Sequence, residues 1–401
     1  MRIFLLLFFF SFSQFLFSQN IRVIVTDILI EGNKKTKERT ILRELNFTVG
    51  DTIPTLDLIE KLQRSEELLL NTGLFTTAKI NIRNWDTETN QITIQINLRE
   101  MWYIYPFYIF ELADRNFNVW WEEQNRSLKR INYGGRLTWL NLTGRRDLLK
   151  ATIQFGYTKK IELSYNRPML GKSRNLGGFA EVHYSNRKEI AYITEASKLL
   201  FKKQVGEPLL LTRFRAGAGL SYRQGLNKYH TGKIIFSDNS IGDTISQVLN
   251  PDYFLESRSR QQHFTLQYNF TLDKRDVKAY PQGGNLFSIL LQKDGFGLFD
   301  DVNAFAATGT YAHYFPLGKK WSFGAKLKGR YYFNRAEQPY THVYALGYLP
   351  DYLRGYELYV IDGMDYVYAK THFQFRIFQK QINWGKYMFI PQFRLMPLKV
   401  Y

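Results

Sequence analysis

The sequence predicts a small α+β domain followed by an antiparallel β-barrel that spans a membrane. Three observations predict this fold. Helical amphipathic patterns are confined to residues 21–100, alternating apolar and polar segments follow from Met101 onward, and a short apolar segment opens the chain. Only helices and closed barrels satisfy every backbone polar group in lipid, and no segment after residue 20 is long enough for a spanning helix. Spanning strands are therefore expected.

The amino terminus has the pattern of a secretory signal peptide. Met1 and Arg2 precede an almost uninterrupted apolar run over residues 3–17, which small and polar residues follow at positions 18–20. The run is shorter than the roughly 20 residues of a spanning helix, which argues against a membrane anchor. We therefore expect residues 1–18 to be a signal peptide and the mature protein to be exported.

Composition excludes several classes of function. The 401 residues include no Cys, so disulfides, thiolate metal sites and a catalytic Cys are impossible. The six His are scattered, with no pair at the i, i+4 spacing of helical ligands, and no metal or other cofactor is expected. Motifs of hydrolases, phosphate-binding loops and zinc proteases are absent from the sequence, so no catalytic residue is expected. The net charge of +18 is spread among aromatic residues, which favours an anionic membrane over nucleic acid.

Residues 20–100 are predicted to form a module with the element order β-α-α-β-β. Isoleucines alternate with polar residues in the last two strands, so one face of the sheet is expected to be buried under the helices. The first two predicted elements are a strand ending at residues 28–31 and a helix over 37–45. A second helix begins at the N-cap Thr55, has its apolar stripe at Leu58, Leu62, Leu69 and Leu70, and ends at the C-cap Gly73. The last two predicted elements are strands around 80–82 and 92–98.

Residues 101–401 are predicted to form the barrel. In residues 264–272, apolar side chains alternate strictly with Thr, Gln and Asn, and several other segments oppose apolar residues to Lys and Arg. A dry sandwich would bury those cations at high cost, whereas a water-filled lumen accepts them. Strands are predicted to start near residues 103, 131, 148, 160, 177, 190, 209, 263, 285, 303, 321 and 365, with a thirteenth begun at 397–401.

Three short motifs in the small module carry a resemblance to a known domain. They are Ile30-Glu31-Gly32-Asn33 with Thr36, Gly50-Asp51, and Asn71-Thr72-Gly73-Leu74-Phe75. In this order, directly before a barrel, they resemble a POTRA (polypeptide-transport-associated) domain. These residues are expected to make turns and caps, so they identify the domain more than they perform chemistry. The markers are Gly32, Asn33, Gly50, Asp51, Gly73, Leu74 and Phe75.

The rest of the chain resembles the barrel of the BamA/TamA superfamily of outer-membrane assembly and translocation proteins. Three stretches carry the resemblance: Asn141-Leu142-Thr143-Gly144-Arg145-Arg146-Asp147 followed by Asn166-Arg167-Pro168; a mid-barrel turn with Asp273, Arg275, Asp276, Pro281 and Gly283; and Leu353-Arg354-Gly355-Tyr356. The last is similar to the tip of the family's sixth extracellular loop, which folds back into the lumen.

That loop implies a partner for Arg354. A guanidinium buried inside a barrel needs an acidic or amide acceptor, because leaving it unpaired away from water is costly. Family members place acidic partners on the strands just after the loop, and Gln374 is the nearest candidate here. A solvated surface arginine is the alternative.

The resemblance implies an outer-membrane protein assembly or translocation factor whose POTRA domain lies in the periplasm. Clients would be unfolded outer-membrane or secreted proteins, captured by β-augmentation on the POTRA sheet, with outer-membrane lipid and accessory periplasmic proteins or lipoproteins as further partners. A passive porin-like channel and a dedicated two-partner-type secretion pore are the alternatives. The periplasmic module argues against the porin, which has no use for one.

The family's first and last barrel strands pair weakly, so that their seam can open laterally. The seam residues implied here are Tyr103, Tyr105, Pro106, Phe107 and Phe110 on the first strand. The proline removes one ladder hydrogen bond, although a bend at the domain junction is the alternative explanation.

The strand count departs from the family. Family barrels have sixteen strands, whereas about twelve complete strands are predicted here. Tyr401 is aromatic, as the family's last strand requires, but Pro397 and Lys399 occupy the apolar face of that segment. We therefore expect three or so carboxy-terminal strands to be absent from this sequence, with a natural twelve-stranded barrel as the alternative.

Overall fold

The structure, a computed structural model, describes residues 21–170, 175–203, 209–299, 301–348, 351–383 and 395–400. The predicted signal peptide, residues 1–18, lies outside the described residues. Within the described ranges, no helix is both long and apolar enough to cross a membrane.

The small domain is a four-stranded sheet with two helices. Its elements are β1 (Arg22–Glu31), α1 (Glu38–Leu42), β2 (Thr52–Pro54), α2 (Thr55–Asn71), β3 (Phe75–Asp86) and β4 (Gln91–Glu100). The strand order is β2-β1-β4-β3, with β1 and β4 parallel and the outer pairs antiparallel. Sequence reasoning missed only the three-residue β2. The alternation predicted for β4 is confirmed, because Ile92, Ile94 and Ile96 are fully buried.

Helix α2 confirms the amphipathic pattern with one correction. Leu58, Leu62 and Leu69 are buried, as predicted. Leu70, however, is 41% exposed, and Leu68 is buried instead. Positions 58, 62 and 69 are separated by four and seven residues and share one helix face, from which a residue at position 70 is rotated by about 100°.

The ends of α2 also differ in detail from the prediction. Pro54 holds the N-cap position, so Thr55 is the first helical residue, and its hydroxyl donates to the carbonyl of Ile21. At the other end Thr72 is the cap residue, and Gly73 follows it with φ at +71°. The predicted glycine is therefore in the left-handed conformation that ends many helices.

Twelve antiparallel strands form the second sheet, and each pairs with the next in the order given. They are β5 (Ile104–Leu112), β6 (Ile131–Leu140), β7 (Leu148–Gly156), β8 (Thr158–Arg167), β9 (Leu176–Arg187), β12 (Leu211–Gln224), β13 (Lys228–Ile241), β14 (Arg260–Asp273), β15 (Gly284–Asp294), β16 (Ala304–Pro316), β17 (Trp321–Tyr332) and β20 (Tyr366–Phe375).

Three small antiparallel sheets of two strands each accompany this sheet in the described ranges. They are β10 (Glu189–Glu195) with β11 (Lys198–Lys203), β18 (Tyr344–Leu346) with β19 (Ile361–Asp362), and β21 (Phe378–Asn383) with β22 (Leu395–Val400). Short 3₁₀ or π turns lie in the loops at Val119–Glu123, Leu128–Arg130, Thr244–Leu249, Pro251–Tyr253 and Tyr340–His342.

One predicted barrel strand lies outside the large sheet and one strand of that sheet was missed, so the predicted number of about twelve strands still agrees with the structure. The strand predicted near residue 190 belongs to the β10–β11 hairpin, outside the large sheet. Strand β13 was missed, because Ile234, Ile235 and Phe236 are consecutive apolar residues that obscure the period of two.

The two faces of the sheet differ as predicted. In β14, Leu266 is 52% exposed on the apolar face, whereas Thr265 on the polar face is 4% exposed. Loop residues cover the polar face. Asp351, for example, lies in the loop after β17 and accepts a hydrogen bond from Lys328 of that strand. The polar face is therefore the lumen wall, and the apolar face is directed towards lipid.

Strands β5 and β20 are the two edges of the twelve-stranded sheet, and no pairing joins them in the described part of the chain. After β20, strand β22 pairs with β21, so the strand predicted at 397–401 begins at residue 395. The expected absence of further carboxy-terminal strands stays a prediction.

Candidate functional site

The motifs found in the sequence converge on two regions at opposite ends of the barrel. Because neighbouring strands are antiparallel, the turns after β6, β8, β12 and β14 lie at one end, and the loops after β5, β13 and β17 lie at the other. The small domain contacts the first end. The long loop after β17 enters the lumen from the second end.

At the first end, the segment before and within α1 docks on the turn between β6 and β7. The carbonyl of Gly144 accepts from the Lys37 amide at 2.9 Å and from the Thr40 hydroxyl at 3.1 Å. The side-chain amide of Asn141 donates to the Thr36 hydroxyl at 2.9 Å. Thr36 belongs to the POTRA-like motif and Asn141 to the barrel motif, so two motifs recognised separately form one interface.

Gly144 is required by this contact. Its φ is +78°, and a Cβ atom placed on it would lie 2.4 Å from the carbonyl oxygen of Lys35. Any other residue would therefore strain the turn and push the small domain away.

A buried carboxylate lies at the centre of the junction. Glu44 is 2% exposed, and Arg223 of β12 donates to both of its oxygens at 2.7 Å. Arg146 lies 3.3 Å and Arg43 lies 3.4 Å from Glu44 Oε1. Burial would raise the pKa of Glu44, but the attraction of Arg146 and Arg223 outweighs it and holds this pKa below its usual value. Burial likewise lowers the pKa of Arg43 to about 10, against the opposing attraction of Glu44.

Tyr103 belongs to this junction and not to the barrel seam, which corrects the prediction. It precedes β5, and its buried hydroxyl lies 3.0 Å from the Thr36 hydroxyl and donates to the Leu74 carbonyl. Burial raises the pKa of Tyr103 to about 12. The linker is fixed on its other side by Glu100, whose carboxylate accepts from the backbone amides of Lys35 and Thr36.

The mid-barrel motif also reaches the junction. Arg275 forms a two-pronged ion pair with Asp273 at 2.8 Å per contact. The carbonyl of Asp276 accepts from the side chain of Asn71 at the end of α2. The Asp276 amide donates to the Gly283 carbonyl, which closes the turn that contains the buried Pro281.

The remaining POTRA-like markers make turns and core contacts. Gly32 has φ at +88°, and a Cβ there would lie 1.9 Å from the Leu98 carbonyl oxygen, so only glycine fits. The other markers are Asn33, which donates to the Thr36 carbonyl; Gly50, with φ at +92°; Asp51, which accepts from the Thr48 amide; and Leu74 and Phe75, which lie in the core.

At the second end, Asp351 anchors the long loop to the lumen wall. Both of its oxygens accept from the Lys328 ammonium, at 2.7 and 2.8 Å. The hydroxyls of Tyr368 and Tyr366 donate to the same carboxylate at 2.7 and 3.2 Å. The loop therefore lies inside the lumen, as the family resemblance implied.

The predicted contact between Arg354 and Gln374 is wrong. The Gln374 side-chain oxygen accepts from the Ser322 hydroxyl at 3.1 Å. Arg354 is exposed, and its side chain has no hydrogen bond or ion pair among the described residues. Gly355, with φ at +81°, turns the chain next to it, and Asp351 provides the anchor instead. Leu353 is partly buried in this turn, and Tyr356 is exposed.

The same loop is tied to the segment that follows β5. Arg115 donates to the Tyr359 carbonyl at 2.7 Å, and the Tyr352 hydroxyl donates to the Arg115 carbonyl at 2.6 Å. Asn116 donates to the Glu357 carbonyl at 2.6 Å. No sequence motif marks these contacts. The loop also packs on an apolar cluster that includes Leu210, Ile245, Tyr253, Phe254 and Tyr340.

Each sheet presents an edge. Strand β5 pairs with β6, and its other side has no partner in the described ranges. On it Tyr108 is 99% exposed, and Phe107 and Phe110 are also exposed; Tyr105 stacks on Phe107, and Pro106 lies opposite Leu137 in register. In the small domain, β3 is an edge strand, and Glu66 of α2 accepts from its Ile80 amide at 2.7 Å.

A twelve-stranded antiparallel sheet with a polar lumen wall, docked on a small α+β domain, defines an outer-membrane β-barrel protein with a periplasmic domain. Comparison with known families agrees: the Omp85 superfamily domain matches residues 141–389, and a POTRA model described as surface antigen variable number repeat matches residues 23–101. The chain belongs to the Omp85 superfamily. Its barrel lies in the outer membrane and its POTRA domain in the periplasm.

Two solved structures share this fold at low identity. CdiB from Escherichia coli is 11% identical with a TM-score of 0.54, over 89% of this chain and 62% of that chain. CdiB from Acinetobacter baumannii is 15% identical with a TM-score of 0.50, over 88% and 60%. BamA from Haemophilus ducreyi lacking POTRA domains 1–3 is 16% identical with a TM-score of 0.48, over 83% and 60%. The matches span about 60% of the length of these structures. No curated protein matches the chain.

Proposed function

We propose that this protein assembles or translocates other proteins at the outer membrane, and that it does so by offering unpaired strand edges to unfolded clients. The observation that carries the proposal is the course of the chain from the POTRA domain to the barrel edge. Tyr103 is fixed in the junction, and the edge strand β5 begins at the next residue. A client held by the periplasmic domain would therefore be delivered next to the barrel edge.

The barrel edge supplies the driving force. Among the described residues β5 pairs on one side only, and unpaired N–H and C=O groups are costly in lipid, so an incoming strand would add hydrogen bonds to β5. Its exposed aromatic side chains, Tyr108 and Phe110, suit the lipid boundary in which such a strand would arrive. No covalent step is needed, and no catalytic residue is assigned.

The POTRA domain would capture the client first. Its edge strand β3 can add a client strand by main-chain hydrogen bonds, which are tolerant of sequence. The contact between Glu66 and the Ile80 amide occupies part of that edge and would have to open. We assign residues 20–100 to this domain and residues 101–401 to the barrel.

A passive channel is the weaker alternative. The loop anchored by Asp351 lies within the lumen, which narrows any open path. A dedicated secretion pore uses the same fold and differs only in its client.

Depletion of the protein, followed by proteomics of the outer membrane, tests this proposal. We expect one or more outer-membrane or secreted proteins to be lost from their destination and to accumulate unfolded in the periplasm. Loss of barrels indicates assembly, and loss of one secreted protein indicates a secretion pore. An unchanged proteome, together with loss of small-solute uptake, would support the passive channel instead.

A further inference from the structure

Three potential metal ligands meet in the lumen, although they are distant in sequence. His263 lies on β14, Asp294 on β15, and His342 on the short turn of the long loop. Their ligand atoms all lie within 4.8 Å of one another, and His342 Nε2 is 3.9 Å from Asp294 Oδ2. The wall therefore provides two ligands and the loop provides the third.

The ligand atoms of these three residues are available to a metal ion, and neighbouring side chains hold two of the three residues in position. His263 is 5% exposed, and its Nδ1 has no hydrogen-bond partner among the described residues. Asp294 is buried and held by the Thr265 hydroxyl and, at 2.8 Å, by the Gln292 side-chain amide. The Thr341 hydroxyl lies 3.2 Å from His342 Nδ1, which leaves Nε2 facing Asp294. Such outer contacts fix the orientation of metal ligands in known sites.

The surroundings select the kind of ion. A cavity of about 450 Å³ adjoins the cluster and has room for a water molecule as fourth ligand. Arg213, Arg215 and Arg330 also line the cavity, and their positive charge opposes any cation, so the site favours an ion that bonds strongly to imidazole over one held by charge alone. Two imidazoles and one carboxylate suit zinc and its neighbours in the transition series, whose ligand bonds of about 2.0–2.2 Å require only a modest closure of this cluster.

We propose that His263, Asp294 and His342 bind a zinc-class divalent metal ion, and that this ion fastens the long loop to the lumen wall. The ion would act together with the Asp351 anchor, which lies further along the same loop. Removing the ion would leave the loop held by Asp351 and by its apolar contacts. The proposal does not depend on the identity of any client.

Calorimetric titration of the full chain with Zn²⁺, after refolding in detergent without metal, tests the site. We expect one Zn²⁺ per chain in the wild type and none in His263→Gln or His342→Gln. The matched control is His313→Gln, because His313 lies on the outer face of β16 beside Tyr311 and should leave binding unchanged. Absence of binding in the wild type, or unchanged binding in His342→Gln, would overturn the proposal.

The fastening role has its own measurement. Limited proteolysis of the wild type should cut the long loop more slowly with Zn²⁺ than after chelation, whereas His342→Gln should show the same rate in both conditions. The wild-type comparison needs no variant, so it holds even if a substitution prevents folding. Equal cleavage of the wild type with and without Zn²⁺ would refute the fastening role.

Discussion

The two ends of the barrel combine polar and apolar contacts in different ways. At the periplasmic junction, buried ions and hydrogen bonds dominate, with Glu44 held by Arg223 and the Gly144 carbonyl accepting two bonds. At the other end, the long loop combines an apolar cluster around Tyr253 with polar contacts, from Lys328 to Asp351 and from Arg115 to the Tyr359 carbonyl. Hydrogen bonds define one geometry, whereas apolar packing is non-directional. We infer that the junction, where three guanidinium groups surround one buried carboxylate, is the more rigidly fixed end, because part of the loop's attachment is non-directional packing.

Glu44→Ala should have the largest effect. It leaves three guanidinium groups around a buried position without their carboxylate, and breaking a buried pair costs about 3 to 5 kcal/mol. The small domain should be released from the barrel, which limited proteolysis of the refolded protein would detect. Glu67→Ala is the control, since its pair with Arg64 is exposed and worth about 0 to 1 kcal/mol. Equal proteolysis of the two variants would contradict a junction fixed by charge.

The same carboxylate gives the junction an acid dependence. Its folded pKa lies below the ordinary value of 4.5, so its stabilisation is complete above pH 4.5 and is lost as pH falls through the folded pKa. Domain release should therefore increase below about pH 4.5. Glu44→Gln should make domain release less dependent on pH. A wild-type protein whose domain release does not increase in acid would contradict a stabilising role of the ionised Glu44.

Gly144→Ala should come next, with a cost of about 2 to 3 kcal/mol, because it adds a clash with the Lys35 carbonyl to the backbone strain. Gly225→Ala separates the cost of the backbone strain from the cost of the clash. Gly225 has φ at +64° in a turn at the same end, and its Cβ would meet no atom within 4 Å. That variant should cost about 1 kcal/mol, and urea unfolding would compare them. A similar cost for both would mean that the contact with Lys35 adds nothing.

At the loop end, Asp351→Ala should cost about 1 to 3 kcal/mol, because Lys328 and two tyrosine hydroxyls lose their acceptor. Arg354→Ala should change stability by less than about 0.5 kcal/mol, since its side chain is exposed. Protease accessibility of the loop measures both. A larger effect of Arg354→Ala would restore the role that the family resemblance implied for it.

Sequence reasoning succeeded where the signal is local. The alternation of β14 and the buried isoleucines of β4 follow from a period of two, and they identified both domains. It failed where residues meet across the chain. Glu44 and Arg223 are 179 residues apart, and nothing in either segment marks the pair. The three residues that we propose as metal ligands come from two strands and one loop, so a search for helical spacing does not bring them together.

The failure at Arg354 has a related cause. The motif lies in the long loop, but which side chain of that loop reaches the lumen wall depends on where the chain enters the lumen. Asp351 lies opposite Lys328, and Gly355 turns the chain next to Arg354. Asp351, two residues before the motif, was a candidate visible in the sequence, and the Lys and Arg residues at alternate positions of 326–330 were the signal that could have selected it.

Site-specific photocrosslinking from the barrel edge tests the central claim most directly. A photoreactive amino acid at Tyr108, on the edge strand β5, should crosslink to newly exported client proteins in living cells. The same group at Ile234, exposed on the lipid face of β13 in mid-sheet, should give none, because both sides of β13 are paired. Client crosslinks at Tyr108 alone are the predicted result. Equal crosslinks at both positions, or none at Tyr108, would contradict a barrel edge that receives client strands.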